Sequence, residues 1–179
     1  RQAWRIWLQE NHTSKQSVWL ICYKKKSNIP TISWSEAVDE ALCFGWIDSK
    51  KVSIDKHTSH QYFSKRKAKS TWSRINKEKV EKLITNGLMK EEGFKSIEIA
   101  KQNGSWSILD DIEELRIQDD LEKKFGTKAG ARDFFLTSSK SAKKAILQWL
   151  VLAKRPETRE NRIKEIVKLA GKKQKPKQF

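Results

Sequence analysis

Apolar residues at Trp4, Trp7 and Leu8 recur at i, i+3 and i+4, the stripe of an amphipathic helix that ends near Asn11 and His12. The next apolar run, SVWLICYKK over residues 17–25, is rich in β-branched and aromatic residues and too short for an ordinary helix. It predicts a strand. Pro30 closes that segment, and Ser33 with Glu36 makes an S-x-x-E capping box that opens a second helix. Ala37, Val38, Ala41 and Leu42 give that helix one apolar face, and Gly45 stands where a helix-ending glycine belongs. Beyond Gly45 the pattern turns strand-like: WIDSKKVSID runs to a polar turn at residues 56–59 and HQYFSKR returns, which predicts a β-hairpin.

Helical periodicity then takes over. Val80, Leu83 and Ile84 mark the inward face of a helix ending at Asn86-Gly87, and residues 94–106 a shorter one stopped by Asn103-Gly104. Residues 109–125 are helical with an irregular apolar pattern. Ala142, Ile146, Trp149, Leu150 and Ala153 keep 3.6-residue spacing, as do Ile163, Ile166, Val167 and Ala170, with Pro156 between the two helices. The expected fold is α+β: a small antiparallel sheet of about three strands flanked by helices, with a C-terminal helical pair. The expected organisation is an α+β core with tryptophan-rich motifs over residues 1–130, a helical region packed on it over 131–171, and a mobile basic tail over 172–179.

Composition adds scale and charge. A chain of 179 residues with eight tryptophans can build a real core. No window reaches the roughly 18–20 apolar residues that span a membrane. Cys22 and Cys43 are too few for a disulfide framework and point to a reducing cytoplasm. A periplasmic location stays open, because the sequence begins at Arg1 inside a helix with no initiator Met. The net charge of +16 is uneven. Residues 50–79 hold ten basic and two acidic side chains, and residues 140–179 hold thirteen and three. Such patches steer anionic partners, whether protein, nucleic acid or small anion.

Several residues stand out as candidates. Cys43 lies near a helix C-terminus among apolar neighbours, which disfavours a thiolate and predicts an inert buried thiol. Asp48 shares a sheet face with Trp46 by two-residue alternation and needs a partner there, with Arg66 the first candidate and Arg74 the second. Its pairing either locks the fold or orients a ligand. Over residues 65–77, cations including Arg66, Lys69 and Arg74 interleave with Ser70, Trp72, Ser73 and Asn76. These are the ingredients of a nucleic-acid surface, and equally of a capped helix start. Arg155, Arg159 and Arg162, at intervals of four and three, fall near one helical face and with Lys154 beside them could hold an anion, although Glu157 and Glu160 compete. His57 and His60 lie on an exposed turn without further ligands, so no metal is expected. No phosphate-binding glycine loop, dinucleotide fingerprint or nucleophile elbow occurs, and neither a cofactor nor enzymatic machinery is expected.

Three motifs in order, ALCFGWIDS, FSKRKAKSTWSRINKEKVEKLITNGLM and AKRPETRENRI, resemble the bacterial YdeI/OmpD-associated family, also called bacteriocin-protection proteins. The resemblance runs from WRIWLQENH to the final helix. It implies a role in protection against bacteriocins or cationic peptides and an association with an envelope protein, a porin, and it brings no catalytic residues. Where relatives often carry a proline before the serine-tryptophan motif, this chain has Lys65. The expected function is that of a non-enzymatic basic protein engaging an anionic partner. The alternatives are a nucleic-acid-binding module built on residues 65–77, and a small-molecule receptor or enzyme with a cleft near Asp48 and Arg66.

Overall fold

The computed structural model describes residues 1–176. The last three residues of the expected basic tail lie outside them; before them, Pro176 is fully buried. The chain divides into two compact units, Arg1–Ser107 and Ile108–Phe179.

The first unit is the mixed α+β part. Helix α1 (Gln2–Asn11) leads to strand β1 (Ser17–Tyr23), helix α2 (Trp34–Cys43), strands β2 (Trp46–Ser53) and β3 (Thr58–Lys65), and helices α3 (Arg74–Thr85) and α4 (Glu91–Gln102). The strands form one antiparallel sheet in the order β1-β3-β2, so the hairpin's return strand is central and β1 is an edge. β1 stops at Tyr23, before the expected end, and a short 3₁₀ turn over Lys25–Ser27 follows.

Local chemistry explains these elements. Ser33 and Glu36 form the complete reciprocal capping box at the start of α2. The apolar stripe of α2 is buried, Ala37, Val38, Ala41 and Leu42 among it. On the sheet's inner face Trp46 and Phe63 are fully buried and join Trp4, Leu8, Val38 and Leu42 in one core. Burying such large aromatics supplies the main driving force for this unit, about 1.5–3 kcal/mol for a side chain such as Phe63. α3 departs from the expected pattern: Val80 and Leu83 turn in, but Ile84 is 42% exposed. α3 packs against α2, and of its apolar residues Val80 and Leu83 join the buried core of this unit.

The second unit is helical. It contains α5 (Asp110–Glu113), α6 (Asp119–Phe125), α7 (Ala131–Thr137), α8 (Lys140–Val151) and α9 (Pro156–Ala170). The irregular segment 109–125 is thus two short helices, and α7 occupies a stretch whose apolar spacing is too brief to read. Pro156 is the first residue of α9, where its missing N–H costs nothing. Among the described residues no helix is long and apolar enough to cross a membrane.

Candidate functional site

The end of α2 and the start of α4 meet backbone to backbone. Lys90 N donates to Cys43 O at 3.0 Å. Gly45 has φ +70, and a Cβ there would lie 2.7 Å from the Glu92 carbonyl oxygen. Glycine is required both for the conformation and for the approach. The contact brings the first turns of α4, with Glu92, Lys95 and Ser96, beside Phe44, Gly45 and Trp46.

Two other segments close on the same place. Arg66 N donates to Gly45 O at 2.9 Å. Lys65 Nζ donates to Thr13 O at 2.7 Å, and Trp46 Nε1 to His12 O at 3.3 Å. The result is a pocket of about 440 Å³. Phe44, Trp46, Ala68 and Ile99 supply apolar walls; His12, Lys65, Arg66, Lys67 and Lys95 supply basic side chains, and Glu92 the single carboxylate.

Arg66 is the unusual member. Its guanidinium carbon lies 3.6 Å from the centre of the Trp72 ring, and its Nη1 donates to Thr71 O at 2.9 Å. Nε and Nη2 are buried without an acceptor, as is Trp72 Nε1. Burial pulls the guanidinium down to about 10, while the Asp48 carboxylate pulls it back up. It stays charged at neutral pH. A buried cation with two unused donors is costly, and an anion that accepts from them would offset that cost. Glu92 stays anionic: its carboxyl is held below the ordinary carboxylate range, first by a backbone N–H of its own helix start and then by His12, whose Nε2 is 3.2 Å away.

The expected ion pair between Asp48 and Arg66 does not form. Asp48 Oδ2 accepts from Trp34 Nε1 at 2.8 Å and from Gln61 Nε2 at 3.4 Å. The register explains this: Asp48 stands opposite Phe63, whereas Arg66 lies past the end of β3 and turns onto Trp72. Arg74 is exposed on the first turn of α3. Two neutral donors therefore hold Asp48, and its charge acts on Arg66 from a distance.

Residues 65–77 divide in the same way. Trp72 is 1% exposed and packs on Trp106 at 4.9 Å between centroids, so its ring is closed to a stacking base. Ser73 caps α3 by accepting from Asn76 N at 3.3 Å. Ser70 N donates to Lys67 O at 2.9 Å in a turn that leaves Lys69 exposed. In the second unit, Arg159 grips Asp120 with Nε at 2.6 Å and Nη2 at 2.9 Å. Arg162 donates to Trp149 O and stacks on that ring at 4.8 Å. Lys154 is exposed between α8 and α9. Cys43 is fully buried in the core of this unit, and burial pushes its thiol up, with Arg5 opposing.

Of the residues marked by sequence, Trp46 and Arg66 meet in this pocket. Lys67 comes with Arg66 from the same basic stretch, and His12, Glu92 and Lys95 join from distant segments, whose only trace in the sequence is the pair Gly45 and Gly93. A Cβ at Gly93 would lie 2.5 Å from Cys43 O.

Comparison with known families matches residues 1–96 to a domain of unknown function, DUF8412, and residues 114–173 to the family described as Bacteriocin-protection, YdeI or OmpD-Associated. The ALCFGWIDS and FSKRKAKSTW motifs fall in the first match and AKRPETRENRI in the second. No curated protein and no solved structure matches the chain.

Proposed function

The chain belongs to the DUF8412 family, matched over more than half its length, and carries a YdeI/OmpD-associated domain; from that premise we propose that it is a non-enzymatic binding protein whose pocket beside Gly45 takes an anionic group attached to an apolar body. The observation that carries this is Arg66, a buried guanidinium with two donors lacking acceptors, in a pocket with apolar walls and further cations. A carboxylate or phosphate satisfies the donors, and an attached ring or chain covers Phe44, Trp46 and Ile99.

Binding is favoured over catalysis because the reactive side chains nearby already serve the fold. Lys65 is tied to Thr13, His12 to Glu92, and Cys43 is sealed. Net charge shapes the link to bacteriocin protection. A protein of +16 repels cationic peptides. Any protective role therefore runs through an acidic envelope component and not through direct capture of the peptide.

Calorimetric titration with inorganic phosphate and with benzoate tests the reading. Both should bind, with benzoate tighter because the walls are apolar, and both should weaken as salt is raised. Heat from neither ligand at low salt would sink it.

A further inference from the structure

The sheet of the first unit is covered on one face only. Its inner face carries Val18, Leu20, Trp46 and Phe63 into the core, and none of Trp19, Ile21, Tyr23, Val52, His60 or Tyr62 belongs to that core. An antiparallel sheet with one solvated face ordinarily alternates apolar-in and polar-out. Here the outer face is aromatic as well. Trp19 is 42% and Ile21 52% exposed. Trp19 stands opposite Tyr62 in the register, with the rings edge to face at 4.9 Å, and His60 is next along β3 at 6.4 Å from Trp19. Tyr23, four residues along β1, lies about 13 Å from Trp19 by strand rise.

Charge around this face has one sign. Residues 11–35 contain no Asp or Glu, and residues 49–77 contain only Asp55. The Asp55 carboxylate is turned onto the backbone N–H groups of His57 and Thr58 at 2.6 and 2.7 Å. The one acid of the strands, Asp48, points to the inner face with Phe63. Lys50 and Lys56 belong to the hairpin, whereas Lys51 pairs with the buried Gln61 and so turns to the inner side; Lys24 joins the end of β1 to the hairpin by donating to Ser53 Oγ at 2.6 Å.

We infer that the outer face of this sheet is a platform for single-stranded nucleic acid, with bases stacking on Trp19, Tyr62 and Tyr23 and phosphates meeting the lysines of the hairpin end. Exposed rings on a sheet stack unpaired bases, and cations beside them track the backbone. In a duplex the base faces are already stacked, so the platform selects single strands. A second copy of the chain fits poorly, because self-association through this face would bring together two surfaces of the same positive sign. The inference is independent of the pocket beside Gly45.

Fluorescence anisotropy of labelled oligothymidylate tests it. The intact protein should bind at low salt, with affinity falling linearly on a log–log plot as salt rises. Trp19→Ala and Tyr62→Ala should each weaken binding roughly tenfold, within the range of a lost base stack. Trp19→Phe should restore most of it, which separates stacking from a folding defect. Replacing Lys50 and Lys56 with Ala should flatten the salt dependence. The inference is overturned by absence of binding at low salt, by full affinity in both aromatic variants, or by equal affinity for duplex. It is overturned as well if Trp19→Ala dissociates a dimer of the intact protein and no oligonucleotide binds.

Discussion

Gly45→Ala separates two costs that the turn combines. At Gly45 a side chain meets both a positive φ of +70 and the Glu92 carbonyl oxygen at 2.7 Å; at Gly87 φ is +64 and the surrounding space is open. Gly87→Ala therefore carries only the left-handed backbone cost, about 1–2 kcal/mol. Gly45→Ala carries that cost and an overpacking cost of about 1–3 kcal/mol, because backbone cannot swing aside as a side-chain tip can. The difference between the two variants should be about 2 kcal/mol, or on the order of 10 °C in melting temperature for a unit of this size. Thermal unfolding followed by circular dichroism, with both variants in the same buffer, reads it directly. If Gly45→Ala melts with Gly87→Ala, the seam between α2 and α4 is not a backbone contact, and the reason given for the pocket's wall fails.

Other consequences follow from buried and paired groups. Glu40 is buried and held by Arg1 at 2.5 Å and Arg5 at 2.6 Å; Glu40→Ala should cost about 2–3 kcal/mol in denaturant unfolding, less than a fully buried pair because Arg1 is half exposed. In the folded protein a thiol-reactive disulfide should modify Cys22 first and reach Cys43 only under denaturant, since burial both covers Cys43 and pushes its thiol up. The Arg159 guanidinium holds the Asp120 carboxyl below its ordinary value. That contribution is complete above the unfolded carboxylate's pKa of about 4 and is lost as pH falls through the lower folded value. Arg159→Ala should remove roughly 0.5–1 kcal/mol at neutral pH, a modest figure because the pair is partly exposed, and should have little effect at strongly acid pH.

What sequence could read was chemistry carried by near neighbours. The Ser33–Glu36 box, the hairpin over residues 46–65 and the glycine turn at Gly45 each rest on residues a few positions apart, and each forms where expected. Helix α7 was legible only as part of the helical region expected over residues 131–171, without bounds of its own, because Gly130 precedes it and no side chain caps it. Alternation correctly placed Asp48 on the inner face with Trp46, but formal charge chose the wrong partner. Trp34 reaches it from α2 and Gln61 from one pair along β3, both neutral. The pocket needed more still. His12, Arg66 and Lys95 come from three separate segments, and only the fold shows that α4 begins against the end of α2. The exposed aromatic face of the sheet is a similar case: SVWLICY reads as a strand, but one-sided helix packing decides which half of it meets solvent.

The central claim is that Arg66 receives an anion in the pocket beside Gly45. Calorimetric titration of Arg66→Gln with benzoate, beside the intact protein and Lys67→Ala, tests it most directly. Loss of a charged hydrogen bond predicts binding roughly tenfold weaker or more for Arg66→Gln, and a smaller loss with reduced salt dependence for Lys67→Ala, both variants remaining folded by circular dichroism. Benzoate binding to Arg66→Gln with unchanged affinity would contradict the claim.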